Sequence, residues 1–200
     1  MPVTSTTQIA NLALSHLGVG IEISDLDTEQ SVEAAACRLH YLPTLEALLE
    51  PGGWAWAEAS ATLALVIADP NQEWGYSYRL PVDCLSPLRI STALGEMNPD
   101  PVPFRRAADA SGGLIWTDEA EAVLLYIQHQ TNVALFPPLF VIALTWALAE
   151  NIAEGLSAKP ERAERARQRA EVAISSARAV QGNHSQMQAA PESPFMRARY

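Results

Sequence analysis

Only two cysteines, Cys37 and Cys84, occur in the 200 residues, too few and too far apart to suggest a disulfide framework. No Cys/His cluster has zinc spacing, so no metal is expected. No glycine-rich phosphate loop, nucleophile elbow or HExxH pair occurs, and the four histidines, His16, His40, His129 and His184, are scattered along the chain. Basic residues are scarce as well, with 13 Lys and Arg against 23 Asp and Glu and a formal net charge of −10. An acidic body disfavours non-specific adhesion to nucleic acid. Uninterrupted apolarity stops at Glu150, short of the ~20 residues that a membrane span needs. The first residues, MPVTSTTQIANL, lack the basic region and continuous apolar segment of a secretory signal. Together these absences predict a cytoplasmic protein with no cofactor, no membrane segment and no enzymatic activity.

What remains is enough for one domain with a substantial core, or a core carrying a small inserted module. The stretch from Leu135 to Leu156, LFPPLFVIALTWALAENIAEGL, is the most apolar, and the other elements are expected to pack onto it. Pro137 and Pro138 suit the first turn of a helix, where a missing N–H costs nothing. The apolar residues that follow cover nearly every face, so this helix should be buried all round until Asn151 and Glu154 restore a polar stripe.

Upstream, Ser5 and Gln8 have capping-box spacing for a helix over Thr4–Leu17, with Ile9, Leu12, Ala13 and Leu17 on one face and Gly18 as its stop. His16 lies near that helix end, where an imidazolium would meet the negative end of the dipole, and a structural role is the plainer one. A second helix is expected to begin near Asp27 or Thr28 and run towards Leu49, kinked or restarted at Pro43. Cys37 lies among alanines with nothing basic to activate it, as a small buried residue does. Pro51, Gly52 and Gly53 then break the helix, and Trp54 and Trp56 read as the same side of an extended segment, anchored on a core or forming a ligand platform.

From Thr62 the pattern turns to short extended pieces: Thr62–Ile67, Gly75–Leu80, Leu85–Ser91, Val102–Arg106, Leu114–Thr117 and Val123–Gln128. Their spacing favours antiparallel hairpins over βαβ units. Asp83, Asp118 and Glu119 lie near the turns, where carboxylates also serve as caps. After the apolar helix, a last helix from Pro160 or Glu161 to about Val180 carries a stripe of small residues, Ala163, Ala166, Ala170, Ala173, Ile174 and Ala177, suited to one close neighbour or another subunit, and Gly182 ends it. From Pro160 onward seven arginines face four glutamates, a net of +3, which leaves −13 on the rest.

The fold class is thus α+β: mainly an α-helical bundle (1–61 and 131–181) with a small inserted antiparallel β module (62–130) and a flexible C-terminal tail (182–200). The tail is polar but contains Phe195, Met196, Arg197, Arg199 and Tyr200, residue types that carry binding energy at interfaces.

Four short signatures stand in order along the chain: IANLALSHLG with the following ISDLD; the helix ending before WAWA; WGYSYRLPVDCL; and YIQHQTNVALFPPLFVIALTWALAENIAEGL. In this order they resemble the phage head–tail adaptor group that includes tail tubular protein A, over nearly the whole chain up to about Gln181. The chain departs from the commoner pattern in its two prolines at FPPLF and in lacking an arginine shortly before Trp54.

The resemblance implies a structural protein of the virion head–tail junction, assembled in the host cytoplasm as a homo-oligomer, a twelvefold ring beneath the portal protein. Such a ring extends the DNA channel, lets DNA pass without specific binding and gives the downstream tail protein a platform. It also implies portal docking through the C-terminal segment, here Phe195, Met196, Arg197, Arg199 and Tyr200. The rival expectation, from the residues alone, is a cytoplasmic ligand-binding or enzymatic domain that gathers Trp54, Trp56, Trp74, Tyr76 and Tyr78 around a pocket.

Overall fold

Ser5 caps the first helix, α1 (Thr6–Leu17), its hydroxyl accepting from the Gln8 amide at 3.2 Å. Gly18 ends it in the left-handed conformation at φ 66°. The buried face is Ile9, Ala10, Ala13, Leu14 and Leu17, so Leu14 takes the place expected for Leu12, which is 39% exposed. This computed structural model describes residues 5–68, 70, 73–92, 102–156 and 159–185.

Helix α2 (Val32–Leu49) starts later than expected, because Asp25–Glu29 close into a turn and Ser31 provides the cap. Arg38 donates to the carbonyls of Leu26 and Glu29, both at 2.6 Å, which pins that turn to the helix. Pro43 lies inside the helix without ending it: one missing N–H is tolerated where the buried face, Ala34, Cys37, Tyr41, Leu45 and Leu48, holds the backbone in place.

Trp54 and Trp56 flank and occupy a 3₁₀ turn, Ala55–Ala57, not an extended segment. Among the described residues seven strands follow: β1 (Glu58–Thr62), β2 (Ala64–Ala68), β3 (Tyr76–Arg79), β4 (Cys84–Thr92), β5 (Phe104–Asp109), β6 (Gly112–Thr117) and β7 (Ala122–Gln128). They form two antiparallel sheets, ordered β1-β7-β4 and β2-β3-β6-β5. The single strand expected over Thr62–Ile67 is therefore two strands in two sheets, joined at Leu63. Sequence EASAT of β1 lacks the β-branched run that marks a strand; its pairing with β7, Glu58 opposite Ile127 through Thr62 opposite Val123, holds it extended.

The central strand β7 is buried on both faces. Ala122, Leu124 and Tyr126 meet Tyr78, Ile90 and Ile115 in the β core, whereas Ile127 joins Trp54, Phe140 and Leu144 in the helical core. Leu85 and Leu88 of β4 pack on the helical side as well. The first strand begins at Glu58, and the sheets share a wall with the bundle.

Helix α3 (Pro138–Ala153) has Pro138 in its first turn and ten buried residues, among them Phe140, Leu144, Leu148 and Ile152. It lies at the centre of the bundle, packed against α1, α2 and the last helix, α4 (Pro160–Ser185). It is not covered all round, because Leu139 and Ile142 remain exposed. In α4, Ala166, Ala170 and Ala177 are buried against the chain's own α3, so much of the small-residue stripe is used inside the subunit. The helix also runs through Gly182 to Ser185; nothing packs within 4 Å of where a Cβ would sit there, and the glycine does not stop it. Among the described residues no helix is long and apolar enough to cross a membrane.

Candidate functional site

Phe195, Met196, Arg197, Arg199 and Tyr200, the segment expected to dock on a portal, lie outside the described residues. The aromatics of the rival pocket are all described, and four of them separate into two cores, Trp54 and Trp56 with the helices and Tyr76 and Tyr78 with the strands, while Trp74 is half-buried and part of neither. Trp54 is fully buried, its indole N–H donating to the Leu48 carbonyl at 2.7 Å, and its ring meets Phe140 edge-on at 5.0 Å. Trp56 packs on Phe136 and Phe140 at 5.4 and 4.8 Å. Tyr78 is buried in the β core instead, its hydroxyl 2.8 and 2.5 Å from the carbonyls of Glu119 and Ala120, with Tyr76 beside it. These rings anchor loops and strands; they do not converge on one cavity.

The titratable groups are occupied in the same structural way. Burial pushes the thiols of Cys37 and Cys84 up to about 11, which keeps both protonated and weakly nucleophilic at neutral pH. His16 stacks flat on Trp146, with ring centroids 3.6 Å apart and planes within 4°, and its Nε2 lies 3.3 Å from the Thr145 hydroxyl. Half-burial holds its pKa below the ordinary imidazole value, so desolvation outweighs the pull of the α1 C-terminus. The Asp83 carboxylate accepts from Tyr126 at 3.1 Å and Gln128 at 2.8 Å, and Asp118 accepts from the Gly75 amide at 2.8 Å. Both tie the start of one strand to another, as turn carboxylates do. Asp109 forms a two-point pair with Arg79 at 2.7 and 2.8 Å, which draws its carboxyl down to about 2. His129 Nε2 stands 3.2 Å from Glu46 Oε1, close enough for an ion pair but without hydrogen-bond alignment. No cluster of three or more His, Cys, Asp or Glu suited to a metal occurs among the described residues.

What the surface does present is apolar side chain on three separate surfaces. Along α2, Val32, Ala35, Leu39 and Leu42 recur at helical spacing on the face opposite its buried one, with Leu39 70% exposed. Strand β2, at the edge of its sheet, exposes Leu65, Val66 and Ile67 in a row, with a bulge between Leu65 and Ile67. Such edges invite another chain. Between α3 and α4, Leu139, Ile142, Trp146, Val172, Ala173, Ser176 and Arg169 line a shallow groove of about 230 Å³.

The opposite flank of α4 differs. There Glu150, Glu154 and Glu164 line an open cleft of about 450 Å³ with Arg167, which is already held by Glu164 and Glu171. The hydrogen bond to Glu164, and after it the charges of Glu164 and Glu171, raise the pKa of that guanidinium above its usual value.

Sequence periodicity exposes the α2 stripe once its other face is known to be buried. The groove was not readable, because it depends on where α4 crosses α3. Comparison with known protein families and with curated proteins finds no match.

Proposed function

We propose that this chain is the structural subunit of a phage head–tail adaptor ring, seated beneath the portal at the head–tail junction of the virion and assembled in the host cytoplasm. One observation carries the reading: large apolar side chains are exposed on three separate surfaces, α2, β2 and the α3–α4 groove, while four of the five aromatics that a ligand pocket would use are spent in two cores. A subunit that closes a ring head to tail needs two different surfaces, each matched to one neighbour. The four sequence signatures support the same assignment, and with it a twelvefold ring, a downstream tail protein resting on it, and DNA passing through the lumen. The net charge of −10 suits that lumen, since carboxylates repel phosphates and let DNA slide.

In this reading the mechanism is binding without turnover, and the segment with Phe195, Met196, Arg197, Arg199 and Tyr200 docks on the portal. Electron microscopy of the full chain co-purified with the portal of the same genome tests it. A ring stacked under the portal is the expected result, with an acidic channel wall. Two folded proteins that give no added density overturn it. Deleting the chain from Pro191 onward is expected to abolish portal binding; full binding by the shortened chain removes the tail from the mechanism and leaves the ring.

A further inference from the structure

The two helical surfaces described above have matching order. On α2 the exposed apolar residues Val32, Ala35, Leu39 and Leu42 are followed towards the C-terminus by Glu46 and Glu50, which fall on the same stripe. Glu50 is exposed and makes no ion pair among the described residues; Glu46 is partly exposed beside His129. In the α3–α4 groove, Leu139, Ile142, Val172 and Trp146 are followed towards the N-terminus of α4 by Arg169, and Arg165 continues that stripe. Neither Arg165 nor Arg169 makes an ion pair among the described residues.

The spacings agree as well. From Leu42 to Glu46 and Glu50 is about 6 and 12 Å along a helix, and from Val172 to Arg169 and Arg165 about 4.5 and 10 Å. The two surfaces also face different ways. Asn151 of α3 donates to the Thr44 hydroxyl of α2 at 2.8 Å, so α2 lies about 140° round α3 from Trp146 of the groove at 100° per residue. A subunit therefore cannot fill its own groove with its own α2.

We propose that the α2 ridge of one copy of this chain docks antiparallel to α4 in the α3–α4 groove of a second copy, with Leu42 on Val172 and Leu39 on Ile142, and Glu46 and Glu50 facing Arg169 and Arg165. The occupant is another copy because this chain itself carries the complement in both apolar order and charge. The contact is heterologous, so it propagates from copy to copy. This inference deepens the ring reading, on which it rests for the closure of the contact into a ring.

Disulfide trapping between separately purified full-length variants tests it. Leu42→Cys mixed with Val172→Cys is expected to cross-link at least tenfold faster than either protein alone, and tenfold faster than Val82→Cys mixed with Val172→Cys, Val82 being fully exposed on a turn of the β module. Leu39→Cys with Ile142→Cys serves as a second pair, and unchanged circular dichroism certifies each variant as folded. Adding Glu50→Arg to the first partner should slow trapping several-fold, and Arg165→Glu on the second should restore it. Rates equal to the Val82 control overturn the proposal, as does cross-linking mainly between like variants. A ring seen under the portal whose subunits do not trap through these pairs overturns this contact and leaves the adaptor reading; trapped pairs without a ring do the reverse.

Discussion

At the scale of single residues, Gly18 shows how a local stop is joined to a distant partner. Its φ of 66° favours glycine, and the space where a Cβ would stand is taken by the guanidinium of Arg162, which donates to the Leu17 carbonyl at 2.6 Å. Gly18→Ala is therefore expected to cost about 1–3 kcal/mol, read as a lower urea midpoint. His16 gives a pH dependence. Its pKa is lowered in the folded chain, so between the folded and unfolded values the unfolded chain binds more protons and stability rises with pH. Stability is lost as pH falls through the unfolded value, about 6.5, towards the folded one. The thermal midpoint should drop between pH 7.5 and 5, and His16→Phe, which keeps a ring on Trp146, should flatten that drop; an unchanged profile would remove His16 as its source. The Ser5 cap and the Gly18 stop were legible because both act within one turn. Arg162 was not, because its acceptor lies 145 residues away in sequence.

At the scale of elements, the helices and most strands were legible from periodicity, and the departures have definite causes. The apolar composition of α3 implied full burial, yet a helix is covered only where neighbours lie, and α1, α2 and α4 leave Leu139 and Ile142 open. Strand β1 escaped notice because its extended form comes from the β7 ladder and not from its own residues. Pro43 was overruled by packing on the buried face of α2. The exposed face of that helix gives a prediction: Leu39→Arg removes little buried area and is expected to change stability by less than about 0.5 kcal/mol. In the proposed assembly it should nevertheless reduce the number of copies bound to the portal, measured by mass on co-purified complexes. A large loss of stability instead would show that Leu39 supports the fold.

At the scale of the whole molecule, the α+β class and the antiparallel arrangement followed from the order of segments. The division into two sheets did not, nor did the shared wall, since both depend on which side of β7 each core lies. Ile127 is buried among the helices although its strand belongs to the sheet system. Ile127→Ala should cost about 2–5 kcal/mol. Tryptophan fluorescence, dominated by the helical core, and the β signal in circular dichroism should then still report one coincident transition. Separate midpoints would mean that the two cores melt independently.

That shared wall also decides what can be transplanted. Anyone lifting the strands onto another scaffold would carry away one side of the bundle with them, so β4, β7 and the helices have to travel as a set. The exposed turn Ala110–Ser111 between β5 and β6 reaches neither core, and foreign sequence grafted there should be carried as a passenger.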